Sequence, residues 1–122
     1  MTLKFAVSKI REDTDVSIVE VHHNQKKDAP SGTAIMIKDA LINSNSRLSY
    51  DNVHISSIRG GTILGEHKVI FANCNDEIIE YRHQLLSRKA LADGAIEVGK
   101  WLYKQSNGFY NMDDFYNQRK KH

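Results

Sequence analysis

The chain has 122 residues, 40% of them hydrophobic and 26% charged, and a formal net charge of +2. That is enough for one hydrophobic core without disulfide or metal staples, and too little charge to argue by itself for a nucleic-acid partner. A lone cysteine, Cys74, excludes an intrachain disulfide, no apolar run reaches the ~20 residues of a membrane helix, and Met1 to Arg11 is too short and polar for a secretory signal, so a reducing, cytoplasmic setting is expected.

Leu3, Ala6, Val7 and Ile10 recur at helical spacing and predict a short amphipathic helix. It begins without a polar lead-in, as a trimmed or truncated chain would. Glu12, Asp13, Thr14 and Asp15 form a polar turn, and Val16 to His22 is a strand rich in β-branched residues (Val16, Ile18, Val19 and Val21).

The stretch His22 to Ala34, H-H-N-Q-K-K-D-A-P-S-G-T-A, then joins that strand to a helix. Such connections are where functional side chains ride on a rigid scaffold. Ser31 is a good N-cap, and the Gly32 and Thr33 amides behind it face outward at a helix N-terminus, which attracts anions. Lys26 adds a mobile positive charge, and His22 and His23 can each give or take a proton near neutral pH. Together these residues suit a small carboxylate or phosphate with a proton donor beside it. Taken singly, they read equally well as a helix cap and a polar strand end.

A helix follows over Gly32 to Asn43, with Ala34, Ile37 and Leu41 in phase, and Asn43 to Asp51 is a polar loop with no assigned role. Val53 to Arg59 predicts a second strand, broken by Gly60-Gly61. Ile63 to Asn73 and Glu77 to Leu85 predict a hairpin of two more strands, turning at Asn73, Asn75 and Asp76. Ser87 is expected to cap a long helix reaching about Ser106, closed by Asn107-Gly108. Phe109, Tyr110, Met112 and Phe115 are expected to dock on this domain or a neighbour, and Arg119 to His122 reads as a solvated basic end.

The order implies one α+β domain over residues 1–122, a mixed four-stranded sheet with helices mainly on one face. Val53, Ile55, Ile58, Val69, Phe71, Ile78, Ile79 and Tyr81 are more apolar residues than one buried face needs. The other face is therefore expected to pack sheet to sheet in a homo-oligomer.

The stretch Glu20 to Ala34, E-V-H-H-N-Q-K-K-D-A-P-S-G-T-A, resembles the signature of the 4-hydroxy-tetrahydrodipicolinate (dihydrodipicolinate) reductase family. R-G-G-T-I-L-G-E-H from Arg59 to His67, the L-S-R ending at Arg88, A-D-G-A from Ala92 and G-F-Y-N-M-D-D from Gly108 fit the same family in order. The resemblance covers nearly the whole chain but only the family's C-terminal, substrate-binding and tetramerisation domain. It implies a homotetramer and a role in NADH- or NADPH-dependent reduction of a cyclic imine-type dicarboxylate on the diaminopimelate route to lysine. It places His22 and Lys26 at the acid/base positions, and His23, Lys26, Gly32, Thr33 and Arg88 at substrate-contacting positions. A dicarboxylate suits Lys26, Arg88 and the Gly32 and Thr33 amides. A carbon next to the one that takes the hydride needs a proton, which His22 or Lys26 can supply.

The family's nucleotide-binding domain precedes this region, and no G-x-G-x-x-G occurs here; Gly60-Gly61 and Gly65 lie between strands. The expectation is that this domain is absent, that the chain binds no cofactor well, and that alone it binds substrate poorly and turns over nothing. In the family the C-terminal end packs back on that domain, which would account for Phe109 to Phe115.

A metal site lacks H-x-x-x-H or C-x-x-C spacing, and His22 and His23 point to opposite faces of a strand. Nucleic-acid binding lacks interleaved basic and aromatic residues. A non-catalytic oligomerisation or anion-binding module remains the alternative.

Overall fold

The computed structural model describes residues 2–119. The elements are α1 (Thr2–Ser8), β1 (Asp15–His22), α2 (Gly32–Ser44), β2 (Val53–Arg59), β3 (Glu66–Ala72), β4 (Ile78–Gln84), α3 (Lys89–Leu102) and α4 (Met112–Arg119). They fall into two compact units, one up to Leu86 and one from Ser87.

The first unit is a four-stranded sheet in the order β2-β1-β3-β4. β1 pairs in parallel with β2 and antiparallel with β3, and β3 pairs antiparallel with β4, so the sheet is mixed as expected. The parallel pair needs a crossover, and α2 supplies it. Strict alternation in β1 and β3 buries Val16 and Ile18 on one strand and Val69 and Phe71 on the other. α1 and α2 cover that face with Leu3, Val7, Ala34 and Leu41. Each fully buried aliphatic side chain contributes about 1.5–3 kcal/mol of apolar burial. The opposite face carries Val19, Val21, Ile58, Ile70 and Ile78 among Lys68, Glu80 and Arg82.

The polar loop after α2 has a structural duty that its composition did not disclose. Asn45 Nδ2 donates to the Val7 carbonyl at 2.9 Å, and the Arg47 guanidinium donates to the carbonyls of Ile10 at 3.1 Å and Arg11 at 3.2 Å. These are carbonyls at and just past the end of α1, which the short helix cannot satisfy internally.

The second unit corrects two expected boundaries. Ser87 makes no cap. Arg88 holds the N-cap position of α3 without a side-chain cap bond, and the helix starts at Lys89. The helix also ends at Leu102 rather than near Ser106. There the bonding tightens, with Lys104 N–H on Trp101 O at 3.1 Å and Gln105 N–H on Leu102 O at 3.0 Å, as at many helix ends. The apolar C-terminal piece is partly the helix α4. Asn111 and Asp114 cap it reciprocally, Asp114 N–H on Asn111 Oδ1 at 3.0 Å and Asn111 N–H on Asp114 Oδ2 at 2.8 Å. Phe115 docks against Trp101 with ring centroids 5.5 Å apart, whereas Phe109 stays exposed. Arg119 pairs with Glu97 at 3.2 Å, and the remainder of the basic end, 120–122, lies outside the described residues.

Candidate functional site

The register of the sheet sorts its helix-covered face into rows. Val53, Val16, Phe71 and Ile79 form one, and Ile55, Ile18, Val69 and Tyr81 the next. One step further along, the face turns polar: Ser57, Glu20, His67 and His83 lie side by side, followed by Arg59 beside His22. The apolar rows anchor the strands, so the polar rows inherit a rigid frame.

Glu20 has no solvent-accessible surface. An unpaired carboxylate there would cost several kcal/mol, and four donor atoms from three residues satisfy it. Arg59 donates through Nη1 to Oε2 at 3.0 Å and through Nη2 to Oε1 at 2.9 Å. The Ser31 amide donates to Oε1 at 3.3 Å. His22 bonds Oε2 through Nδ1. Burial pushes the carboxyl up, and the bonds from Arg59, Ser57, His22 and Ser31 more than reverse it, holding the pKa at about 2 against an ordinary 4.5. Arg59 also donates to the carbonyls of Asp28 at 2.6 Å and Lys26 at 3.3 Å, so the same guanidinium fixes the loop that carries Lys26.

His22 ends β1 on the buried face. Gly65 approaches its free edge: a Cβ on Gly65 would sit 3.3 Å from His22 Nε2. Glycine here leaves open the space beside that nitrogen. His67 lies edge-on to His22, with centroids 5.2 Å apart, and is buried; its Nε2 sits 3.4 Å from Ser31 Oγ. Burial, and then the positive neighbours His22 and His83, hold the His67 imidazole below its usual range. His67 Nδ1 is the buried side-chain polar atom without a partner among the described residues.

Ser31 also caps α2, accepting the Ala34 amide at 3.2 Å, which fixes the helix N-terminus at the polar end of the sheet. Gly32 and Thr33 occupy its first turn and are exposed, and neither amide has a hydrogen-bond partner among the described residues. Lys26 is half-buried, with Nζ 3.0 Å from Asp28, and its amide donates to the His23 carbonyl at 3.2 Å. That ammonium holds the Asp28 carboxyl below the usual range. His23, half-buried, directly follows β1. The first unit thus brings His22, His23, Lys26, Gly32 and Thr33 to one end of the sheet, while Arg88 belongs to the second unit, at the start of α3.

Sequence reasoning passed over Glu20, Arg59 and His67 as site residues, although all three lie inside quoted motifs. The signal was present for Glu20, which is in phase with Val16 and Ile18 on a strand of period two. A carboxylate at that position is buried and must be paired.

Fold and site together define an α+β domain whose sheet ends in a buried carboxylate–imidazole pair beside a helix N-terminus. The family model described as "Dihydrodipicolinate reductase, C-terminus" matches residues 1–116, and the chain belongs to that family. It is similar to the 4-hydroxy-tetrahydrodipicolinate reductases of Clostridium novyi (42% identical, 92% of this chain and 49% of that protein), Campylobacter lari (39%, 92% and 52%) and Rickettsia bellii (41%, 89% and 47%). The chain therefore spans about half the length of these relatives. Its fold resembles that of a dipicolinate-bound dihydrodipicolinate reductase from Paenisporosarcina sp. TG-14, with a TM-score of 0.67 at 24% identity over 78% of this chain and 41% of that one.

Proposed function

We propose that this chain is the substrate-handling domain of a 4-hydroxy-tetrahydrodipicolinate reductase, working in the diaminopimelate route to lysine. The observation that carries this reading is the meeting of His22, Lys26 and the unpartnered Gly32 and Thr33 amides at one end of the sheet, in a chain that belongs to the family. The substrate is a cyclic dicarboxylate. One carboxylate suits the Gly32 and Thr33 amides at the positive end of α2, with Lys26 adding charge, and His23 completes the set that the first unit offers; the resemblance to the family adds Arg88 as a further substrate contact. His22 and Lys26 are the acid/base pair: one of them delivers a proton to the carbon next to the reduced one.

NADPH or NADH supplies the hydride in such reductases. Among the described residues there is no glycine-rich strand-to-helix turn to hold a dinucleotide. Gly60 and Gly61 connect β2 to β3. We infer that the cofactor is held by a nucleotide-binding domain in the half of the relatives that this chain does not span, and that this chain alone is inactive. The outer sheet face, with Val19, Val21, Ile58, Ile70 and Ile78, is the surface for pairing copies into a tetramer, and the setting is cytoplasmic.

The test joins this chain to the nucleotide-binding half of the Clostridium novyi relative and follows NAD(P)H oxidation with the cyclic dicarboxylate. Turnover is expected in the joined protein and not in the chain alone, and His22→Ala or Lys26→Ala should remove most of it. Dipicolinate should bind the joined protein. A joined protein that folds and neither binds dipicolinate nor oxidises NAD(P)H overturns the reading in favour of a non-catalytic module.

A further inference from the structure

We propose that Glu20 is the positioning residue for His22: clamped by Arg59, it fixes the imidazole tautomer and leaves Nε2 as the nitrogen that exchanges protons. This rests on His22 being an acid/base group of the proposed reaction.

The argument begins with donors and acceptors. An ionised carboxylate only accepts hydrogen bonds. Glu20 Oε2 contacts His22 Nδ1, so Nδ1 must carry the proton. Arg59 and the Ser31 amide fill the remaining acceptor directions of Glu20, which keeps the carboxylate from taking the proton itself. His22 Nε2 has no hydrogen-bond partner among the described residues, and Gly65 leaves room beside it. In the neutral ring Nε2 is then a lone pair that can accept a proton. In the imidazolium it is an N–H that can give one, while Nδ1–H stays on Glu20 throughout. The proton that leaves Nε2 goes to the substrate carbon beside the one that takes the hydride and is replaced from solvent, so no other side chain of this protein changes charge.

A merely structural ion pair is the competing account, since Arg59 also ties down the loop at Lys26 and Asp28. Glu20→Gln separates the two. Oε1 faces two donors that cannot become acceptors, Arg59 Nη2 and the Ser31 amide, whereas Oε2 faces one such donor, Arg59 Nη1, and the His22 ring, whose tautomer can invert, so the new amide oxygen takes the Oε1 position. The NH2 group then lies at the Oε2 position, facing His22 Nδ1. His22 is forced to accept at Nδ1 and to carry its proton on Nε2, the same inversion of tautomer that disables a triad histidine when its aspartate becomes asparagine.

The experiment is nitrogen-15 spectroscopy of the imidazoles in this chain near neutral pH, together with kinetics of the protein joined to a nucleotide-binding half. Wild-type His22 should show a protonated Nδ1, and Glu20→Gln should show a protonated Nε2. In the joined protein the same substitution should lower kcat by about 100-fold or more, the scale of general acid–base catalysis, with dipicolinate affinity changed by less than about threefold. A wild-type His22 protonated on Nε2 overturns the proposal, and that spectrum needs no variant to fold. A Glu20→Gln protein with an unchanged tautomer, or with kcat within about threefold of wild type, overturns it too. An inert joined wild-type protein counts against the reductase reading, and the tautomer spectra still decide the role of Glu20.

Discussion

Glu20 and Arg59 are 39 residues apart in the chain and meet in a two-pronged ion pair, with Nη1 on Oε2 at 3.0 Å and Nη2 on Oε1 at 2.9 Å. The parallel register places Arg59 directly beside His22, one row from Glu20. Planar guanidinium and planar carboxylate fit without strain, and Arg59 has donors left for the Asp28 and Lys26 carbonyls. A single pair thus joins two strands and the loop that follows the first.

This pair gives the protein a specific acid sensitivity. The folded carboxyl at about 2 lies below its unfolded value near 4.5, so the unfolded chain binds the extra proton between those values. The stabilisation, on the order of 3 kcal/mol, is present above about pH 4.5 and is lost as pH falls towards 2. Urea unfolding across that range should show the loss in wild type and a flatter profile in Glu20→Gln.

His67 adds a separate window nearer neutrality. Its imidazole is held below 6.5 mainly by burial, then by the charges of His22 and His83. The unfolded chain therefore takes up a proton as pH falls below about 6.5, while the folded His67 stays neutral, and stability falls in step. The His67 ring resonances should titrate later than those of an unfolded control during acidification.

Gly65→Ala should act through His22. The new Cβ would sit 3.3 Å from His22 Nε2 and 3.6 Å from Leu85 Cδ1. The imidazole is tethered to Glu20 at its other nitrogen and cannot give way freely. A cost of about 1–3 kcal/mol and a shift of the His22 ring resonances are expected, with loss of proton transfer in the joined enzyme. Thermal unfolding and the imidazole spectrum read the two effects.

Ser31→Ala removes the cap of α2 at Ala34 and the contact with His67, and keeps the backbone bond to Glu20. About 1 kcal/mol should be lost. Hydrogen exchange should rise in the first turn of α2, at Ala34 before Leu41, and weaker dicarboxylate binding should accompany it.

In the second unit, Phe115→Ala should free α4. Phe115 is its buried residue and stacks edge-on against Trp101. Removing the ring costs about 3 kcal/mol or more, a large share for so small a unit. Trp101 emission should move to longer wavelength, and exchange protection over Met112–Arg119 should collapse, while the strands of the first unit keep theirs.

The residues alone were enough to place four strands, with the third starting at Glu66 rather than Ile63, the capped helix that follows the first, and the family. Val16, Ile18 and Val21 announce a strand by their branching. Ser31 announces a helix start because its hydroxyl can hold the third amide that follows it. The ends of the second unit were less legible. Helix α3 stops at Leu102 although apolar periodicity and Asn107-Gly108 favoured a later end, because local bonding and the packing of Trp101 with Tyr110 and Phe115 decide where it turns. The site's residues were visible one at a time, and their combination was not. Only tertiary structure sets β2 in parallel beside β1, bringing Arg59 onto a carboxylate 39 positions earlier in the chain. Only β3 running antiparallel puts His67 next to Glu20 and Gly65 against His22. Strand pairing is non-local: period-two patterning fixes which face a residue takes, and register alone fixes its neighbours.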